Sequence, residues 1–198
     1  MTAPLNGAPT VPGLVARLVD VDDRGIHADD GSYVSWRQHV QAGADLAAVL
    51  RARLDPGRPP HVGVLLGNTP FFSAVLVAAA QAGLVVVGLN PTRRGAALRR
   101  DIEHADCQLV LADDLANGYG DGFVPAGMAV VDVTSAAWAD ELATFRGSPI
   151  TFVDSAFDDL FMLIFTSGTS GEPKAVRCTH EKVAGPGVML AERFGLGP

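Results

Sequence analysis

The chain has 198 residues, 48% of them hydrophobic and 19% charged, with a formal net charge of −7. That length suits one compact domain and is too short for two ordinary ones, and a mean hydropathy of +0.23 excludes a disordered chain. The acidic balance, with a pI near 5.1, argues against a nucleic-acid partner, because phosphate backbones need clustered Lys and Arg.

Met1 to Gly7 has neither a basic stretch nor an apolar run, so no signal peptide is read there. Residues 1–23 read as an N-terminal arm punctuated by Pro and Gly. Gly25-Ile26-His27 and Ser32-Tyr33-Val34 flank Asp29-Asp30-Gly31, which predicts a small β-hairpin. Ser35 with Gln38 forms a capping-box pattern and opens a helix through about Leu54. Trp36, Val40, Gly43, Ala47, Leu50 and Leu54 recur on one face of it. Asp55-Pro56-Gly57 and Pro59-Pro60 end that helix. Residues 24–60 therefore read as a hairpin-plus-helix unit ahead of an α/β subdomain over 61–198.

From His61 to Thr92 there is no Asp, Glu, Lys or Arg. A transmembrane helix needs about 20 uninterrupted apolar residues, and this stretch is punctuated. Val62 to Leu66 reads as a buried strand, Asn68 or Thr69 as an N-cap with Pro70 near N1, and Phe71 to Ala82 as a helix. Gly83 is a C′ glycine, and Leu84 to Leu89 a second strand ended by Asn90-Pro91. The expectation is a βαβ unit buried on both faces, with no transmembrane span.

A helix over roughly Arg94 to His104 follows, then a strand from Gln108 to Ala112. The pairs Arg93-Arg94 and Arg99-Arg100 could bind an anion, but a solvated helix face is the favoured reading. Residues 113–127 read as a loop, 128–133 as a strand, and Ala136 to Phe145 as a helix capped by Thr134 or Ser135. Leu160 to Phe165 is the most hydrophobic strand. Strands alternating with helices give the fold class: α/β, a mostly parallel sheet with helices on both faces, preceded by the small hairpin. Cys107 and Cys178 form no CxxC pair and read as reduced, buried thiols of a cytosolic protein.

Directly after that apolar strand comes Thr166-Ser167-Gly168-Thr169-Ser170-Gly171-Glu172-Pro173-Lys174. Glycines let backbone approach an anion, consecutive N–H groups form an anion-binding nest, hydroxyls add donors, and Lys174 adds a full charge. The end of a parallel strand is also where such sheets bind ligands. The segment is not a Walker A loop, because Pro173 precedes Lys174 and Ala175 follows it. Ala175 to Cys178 reads as a strand, so the loop joins two strands with no helix dipole behind it. A flexible Gly/Ser connection is the bland alternative. Gly168-Thr169-Ser170-Gly171 is one residue short of G-x-S-x-G. His180-Glu181 lacks a second His, so no metal ligands are indicated. Asp158-Asp159 reads as a solvated turn, and His180 as a helix-start residue, structural or facing a ligand.

These residues resemble a family. Thr166 to Lys174, with Asp158-Asp159-Leu160 before and Thr179-His180 after, is similar to the phosphate-binding signature of adenylate-forming enzymes: acyl-CoA synthetases, peptide-synthetase adenylation domains and luciferases. Gly63-Val64-Leu65-Leu66-Gly67-Asn68 and Ala82-Gly83 also look like that family, and the likeness covers the chain after Tyr33. Leu89-Asn90-Pro91 with Arg94-Gly95 and Leu98 resembles the very-long-chain, fatty-acid-transport-like branch of fatty acyl-CoA synthetases. So does Ala175, where most of the family has Gly.

The resemblance implies a reaction in which a fatty-acid carboxylate attacks the α-phosphate of ATP, and the acyl-adenylate then passes its acyl group to coenzyme A. It implies that Thr166, Ser167, Gly168, Thr169, Ser170, Gly171 and Lys174 hold the departing phosphates, with Mg²⁺ held mainly outside this segment. Family members are much longer, so the expectation is an N-terminal portion that is inactive alone and self-associates through truncated surfaces. A cytoplasmic location is expected, and peripheral membrane contact is compatible with the sequence. The alternatives are an adenylating enzyme for another acid, a non-catalytic nucleotide- or acyl-binding module, and a plain interaction domain. Acyl chain length is not legible.

Overall fold

The computed structural model describes residues 9–28, 30–113, 115, 118–166 and 174–197. Helix α1 (Val11–Val15) is followed by one 3₁₀ turn and by the antiparallel strands β1 (Gly25–His27) and β2 (Tyr33–Ser35), the predicted hairpin. Helix α2 (Trp36–Arg53) starts at Ser35, whose side chain accepts from the Gln38 N–H while Gln38 accepts from the Ser35 N–H, completing the capping box.

The uncharged stretch folds as β3 (His61–Leu65), α3 (Pro70–Ala82) and β4 (Val85–Gly88). Thr69 is the N-cap, Pro70 opens the helix, and Gly83 closes it at φ 68°, a left-handed angle that glycine adopts without strain. No helix of the described residues is long and apolar enough to cross a membrane. Then come α4 (Gly95–His104), β5 (Leu109–Ala112), β6 (Ala129–Asp132), α5 (Ala136–Thr144) capped by Ser135, β7 (Leu160–Thr166), β8 (Lys174–Thr179) and α6 (His180–Phe194).

The larger sheet runs β6-β5-β3-β4-β7-β8. All pairings are parallel except the last, where β8 returns antiparallel to β7. Successive side chains on a strand point to opposite faces, so each apolar run feeds two cores. Val62, Val64, Val86, Leu109 and Leu111 face one core, filled by Leu46 and Leu50 of α2, Ala78 of α3 and Phe161. Leu65, Val87 and Val110 face the other, with Leu98 and Ile102 of α4. The hairpin-and-helix stretch of residues 24–60 thus shares a core with the α/β layers through α2.

Two expectations are corrected here. Cys107 is buried, but Cys178 is only half-buried, because it stands on the edge strand β8, which has a neighbour on one side only. Arg93 is not part of a solvated face. Its Nε lies 2.6 Å from Oδ2 of Asp101, a carboxylate with no solvent exposure.

Candidate phosphate-binding edge

Parallel strands carry their C-terminal ends to one edge of a sheet. Here that edge gathers Leu65, Gly88, Ala112 and Thr166, the last residues of β3, β4, β5 and β7. The connections that leave it are residues 66–69, 89–94 and 113–128. Thr166 pairs with Lys174 and Phe165 with Ala175, so the antiparallel pair β7–β8 has the end of β7 and the start of β8 at this edge. The strands on either side are those expected from the sequence. Lys174 is exposed at the first position of β8. Ser167, Gly168, Thr169, Ser170 and Gly171, with Glu172 and Pro173, lie outside the described residues.

His180 sits at the opposite end of that strand pair, beyond the Leu160–Thr179 pair. It lies six residue steps along the strand from Lys174, roughly 20 Å at about 3.3 Å per residue. Its N–H donates to the Asp159 carbonyl at 3.0 Å, and its ring packs on Phe161 at 5.1 Å. Its Nδ1 accepts from the Val11 N–H at 3.4 Å, and burial holds the imidazole below its ordinary pKa. The ring therefore joins α1 to the start of α6, far from any group held at the loop. It borders a cleft of about 410 Å³ with Gly83, Asp154, Asp159 and Leu160, at the edge away from the loop. Asp159 Oδ2 accepts from the Ala156 N–H at 2.8 Å, which makes Asp158-Asp159 the turn expected from the sequence.

Several polar groups at the loop edge escape sequence reasoning. Asp113 Oδ2 accepts from the Gly67 N–H at 2.6 Å and ties the ends of β3 and β5 together. Asn90 Oδ1 accepts from the Thr92 N–H at 2.9 Å and its hydroxyl at 2.8 Å, shaping the turn after β4. The Gly95 N–H donates to the Tyr119 carbonyl at 2.7 Å, and the Arg94 guanidinium stacks over the Tyr119 ring at 5.4 Å. Asn90 and Asp113 had one available signal, a turn residue directly after a strand; the Tyr119 contacts had none. Among the described residues no group of three or more His, Cys, Asp or Glu could hold a metal ion.

Comparisons with known proteins show the family. The chain is 57% identical over 193 residues to the medium/long-chain-fatty-acid–CoA ligase FadD17 of Mycobacterium marinum, a match covering 98% of this chain and 37% of that protein. It is 39% identical over 180 residues to the steroid-22-oyl-CoA synthetase of Rhodococcus jostii, covering 88% of this chain and 32% of the relative. The chain thus spans about a third of the length of these relatives. Among solved structures, the complex of VinN with 3-methylaspartate superimposes with a TM-score of 0.79 at 25% identity, over 95% of this chain and 52% of that one. The model of the AMP-binding enzyme family matches residues 14–195, and with these likenesses it establishes that the chain belongs to that family.

Proposed function

We propose that the chain is the phosphate-binding portion of an acid–thiol ligase that activates a medium- or long-chain fatty acid with ATP and transfers the acyl group to coenzyme A. One observation carries this reading. In sequence, a Gly/Ser/Thr segment ending in Lys174 links β7 to β8, whose paired ends Thr166 and Lys174 lie at the edge where the parallel strands end, in a chain 57% identical to fatty-acid–CoA ligases.

In the first step a carboxylate oxygen of the fatty acid attacks the α-phosphorus of ATP, and the bond to the bridging oxygen breaks, releasing pyrophosphate. In the second the thiol of coenzyme A attacks the acyl carbonyl and AMP leaves. Thr166, Ser167, Gly168, Thr169, Ser170 and Gly171 supply amide and hydroxyl donors, and Lys174 supplies charge where pyrophosphate gathers it. Donors fixed before the reaction stabilise that charge most effectively. Magnesium enters with the nucleotide. A cytoplasmic setting, and self-association through the edge strand β8 and the exposed Met189, Leu190 and Phe194 of α6, belong to the same reading. Sedimentation at two concentrations checks the self-association.

The assay is acid-dependent exchange of labelled pyrophosphate into ATP, run on the protein carrying this chain with fatty acids of several lengths. Lys174→Ala should slow exchange about 10–150-fold, the equivalent of the roughly 1.5–3 kcal/mol of a charge-assisted contact. Lys174→Arg should recover only part of it, because a planar fork does not replace a compact ammonium. Unchanged exchange in Lys174→Ala removes the loop from the mechanism, and exchange with no fatty acid among its substrates overturns the substrate class.

A further inference from the structure

Asp101 is the fully buried carboxylate of the described chain, with no solvent exposure. Its one close cation is Arg93, with Nε 2.6 Å from Oδ2, an ion pair whose N–H is misaligned for a hydrogen bond. Among the described residues neither Asp101 oxygen receives a well-aligned donor. Burial pushes the carboxyl above its ordinary pKa, against the pull of Arg93, Arg100 and His104. A buried ion pair is seldom kept for stability, since apolar side chains of similar volume serve at least as well. In some proteins such pairs are retained because they set one geometry among several.

The geometry here is that of the β4–α4 turn. The Arg93 N–H donates to the Asn90 carbonyl at 3.1 Å, and its Nη2 donates to the Ala97 carbonyl at 3.2 Å. The side chain therefore spans from the turn into the first turns of α4 and is anchored at its far end by Asp101. The turn is also fixed from outside. The Gly95 N–H is bonded to the Tyr119 carbonyl, and Gly120, at φ 83°, approaches so closely that a Cβ there would stand 2.9 Å from the Gly95 nitrogen. Gly88 pairs in parallel with Ile164, so residues 89–94 leave the sheet beside Phe165 and Thr166, where the phosphate segment begins. Of the ways out of the sheet, this turn is the one immediately next to β7 on its parallel side.

We propose that Arg93 and Asp101 are positioning residues for the acid-activation step: they hold residues 90–95 as a fixed wall beside the end of β7 at Phe165 and Thr166 and touch no substrate themselves. The inference rests on the ligase reading above. Turnover needs that wall in place, because misplacement of about 1 Å near reacting groups lowers rates by roughly 100-fold.

Two measurements test it. The first is amide hydrogen exchange on the chain as given. Asp101→Asn should speed exchange at the Arg93 and Gly95 amides about tenfold or more, leaving the amides of β3 and β5 unchanged; equal protection in parent and variant overturns the proposal whatever the activity. The second compares the protein carrying this chain with Asp101→Asn and with the apolar double variant Arg93→Met/Asp101→Leu. The double variant should keep the parent melting temperature yet lose about tenfold or more in kcat for pyrophosphate exchange, with KM for ATP changed less than about twofold. A stable double variant with parental kcat shows the pair to be packing alone and overturns the role in turnover. No acid-dependent exchange in the parent overturns the ligase reading, and the role in turnover with it.

Discussion

Gly43→Ala sets two known effects against each other at the seam between α2 and α3. An alanine in a helix interior is favoured over glycine by about 1 kcal/mol, so on propensity alone the substitution stabilises. The seam leaves no room for it. A Cβ at position 43 would stand 2.3 Å from Cγ1 and 2.9 Å from Cβ of Val77, and 3.3 Å from the backbone nitrogen of Ala78. Val77 is 7% exposed and Ala78 not at all, so neither can turn aside into solvent. Overpacking of this kind costs about 1–3 kcal/mol, and relief requires the two helices to separate. With so close an approach the cost falls toward the upper end, and the net expectation is destabilisation of up to about 2 kcal/mol, a melting temperature lower by as much as about 4–8 °C for a chain of this size. Val77→Ala alone opens a small cavity and also destabilises. Combined, the added methyl occupies the vacated space, so the double variant should be more stable than the sum of the singles by about 1 kcal/mol or more. Thermal unfolding followed by circular dichroism reads all four proteins. A Gly43→Ala variant that melts above the parent, or strict additivity in the double, refutes the close approach of α2 and α3.

Three further outcomes follow from particular groups. His39 is buried, its Nε2 lies 2.9 Å from the Ser73 hydroxyl, and burial holds its pKa below the ordinary 6.5. The unfolded chain therefore takes up protons first, so this contribution is complete above pH 6.5 and is lost as pH falls below it. His39→Gln should flatten that part of the melting-temperature profile, and an unaltered profile counts against it. The Cys107 thiol is 1% exposed and its pKa is pushed up to about 12 by burial and then by Asp106, so iodoacetamide at pH 8 should modify Cys178 in the folded chain and Cys107 only on unfolding; equal rates at both, read by peptide mass, would contradict the fold around β5. Ser35→Ala removes the acceptor of the Gln38 N–H and a donor to Asp22, and should lower stability by about 1 kcal/mol, or 2–4 °C; a shift under half a degree would mean the box contributes nothing.

Much of the fold is legible because caps and strands are local. Ser35 with Gln38, Thr69 with Pro70, and Gly83 each act within four residues of themselves, so the ends of α2 and α3 follow from sequence. Val85 to Val87 are β-branched and flanked by turn residues, which suffices for a buried strand. Strand order is not local. A run of valines says that both faces are covered, not that β3 lies between β4 and β5. The site shows the same division. The proposed phosphate segment stands out in sequence because its chemistry is contiguous, from Thr166 to Lys174. His180 is close to Lys174 in sequence but not in space, because Lys174 to Thr179 form an extended strand that puts it at the other end of β8. Arg93 misleads because a charged residue at the start of a helical stretch reads as solvated unless the buried partner, Asp101, is known to face it.

Net charge illustrates the limit of composition more sharply. A value of −7 discounts polyanions that wrap a surface, since that binding sums over the whole charge distribution. A nucleotide phosphate senses only a Debye length, about 8–10 Å at ordinary ionic strength. The acidic residues are partly spent elsewhere: Asp20 and Asp22 pair with Arg37 beside the hairpin, Glu141 with Arg53, and Asp106 with Arg58. At the edge where β3, β4 and β7 end, the exposed side chains include Arg94 and Lys174, and α3 and α4 begin there with the positive ends of their dipoles. β8 adds no such dipole, because a strand leaves the phosphate segment where a Walker A loop has a helix. In the proposed role the charge next to the segment is that of Lys174, whose backbone is held by pairing with Thr166 at the first step of an antiparallel ladder. An ammonium placed by a strand rather than supported by a helix is more open to screening. Phosphate affinity in this chain should accordingly depend on salt more steeply than in a loop that a helix backs.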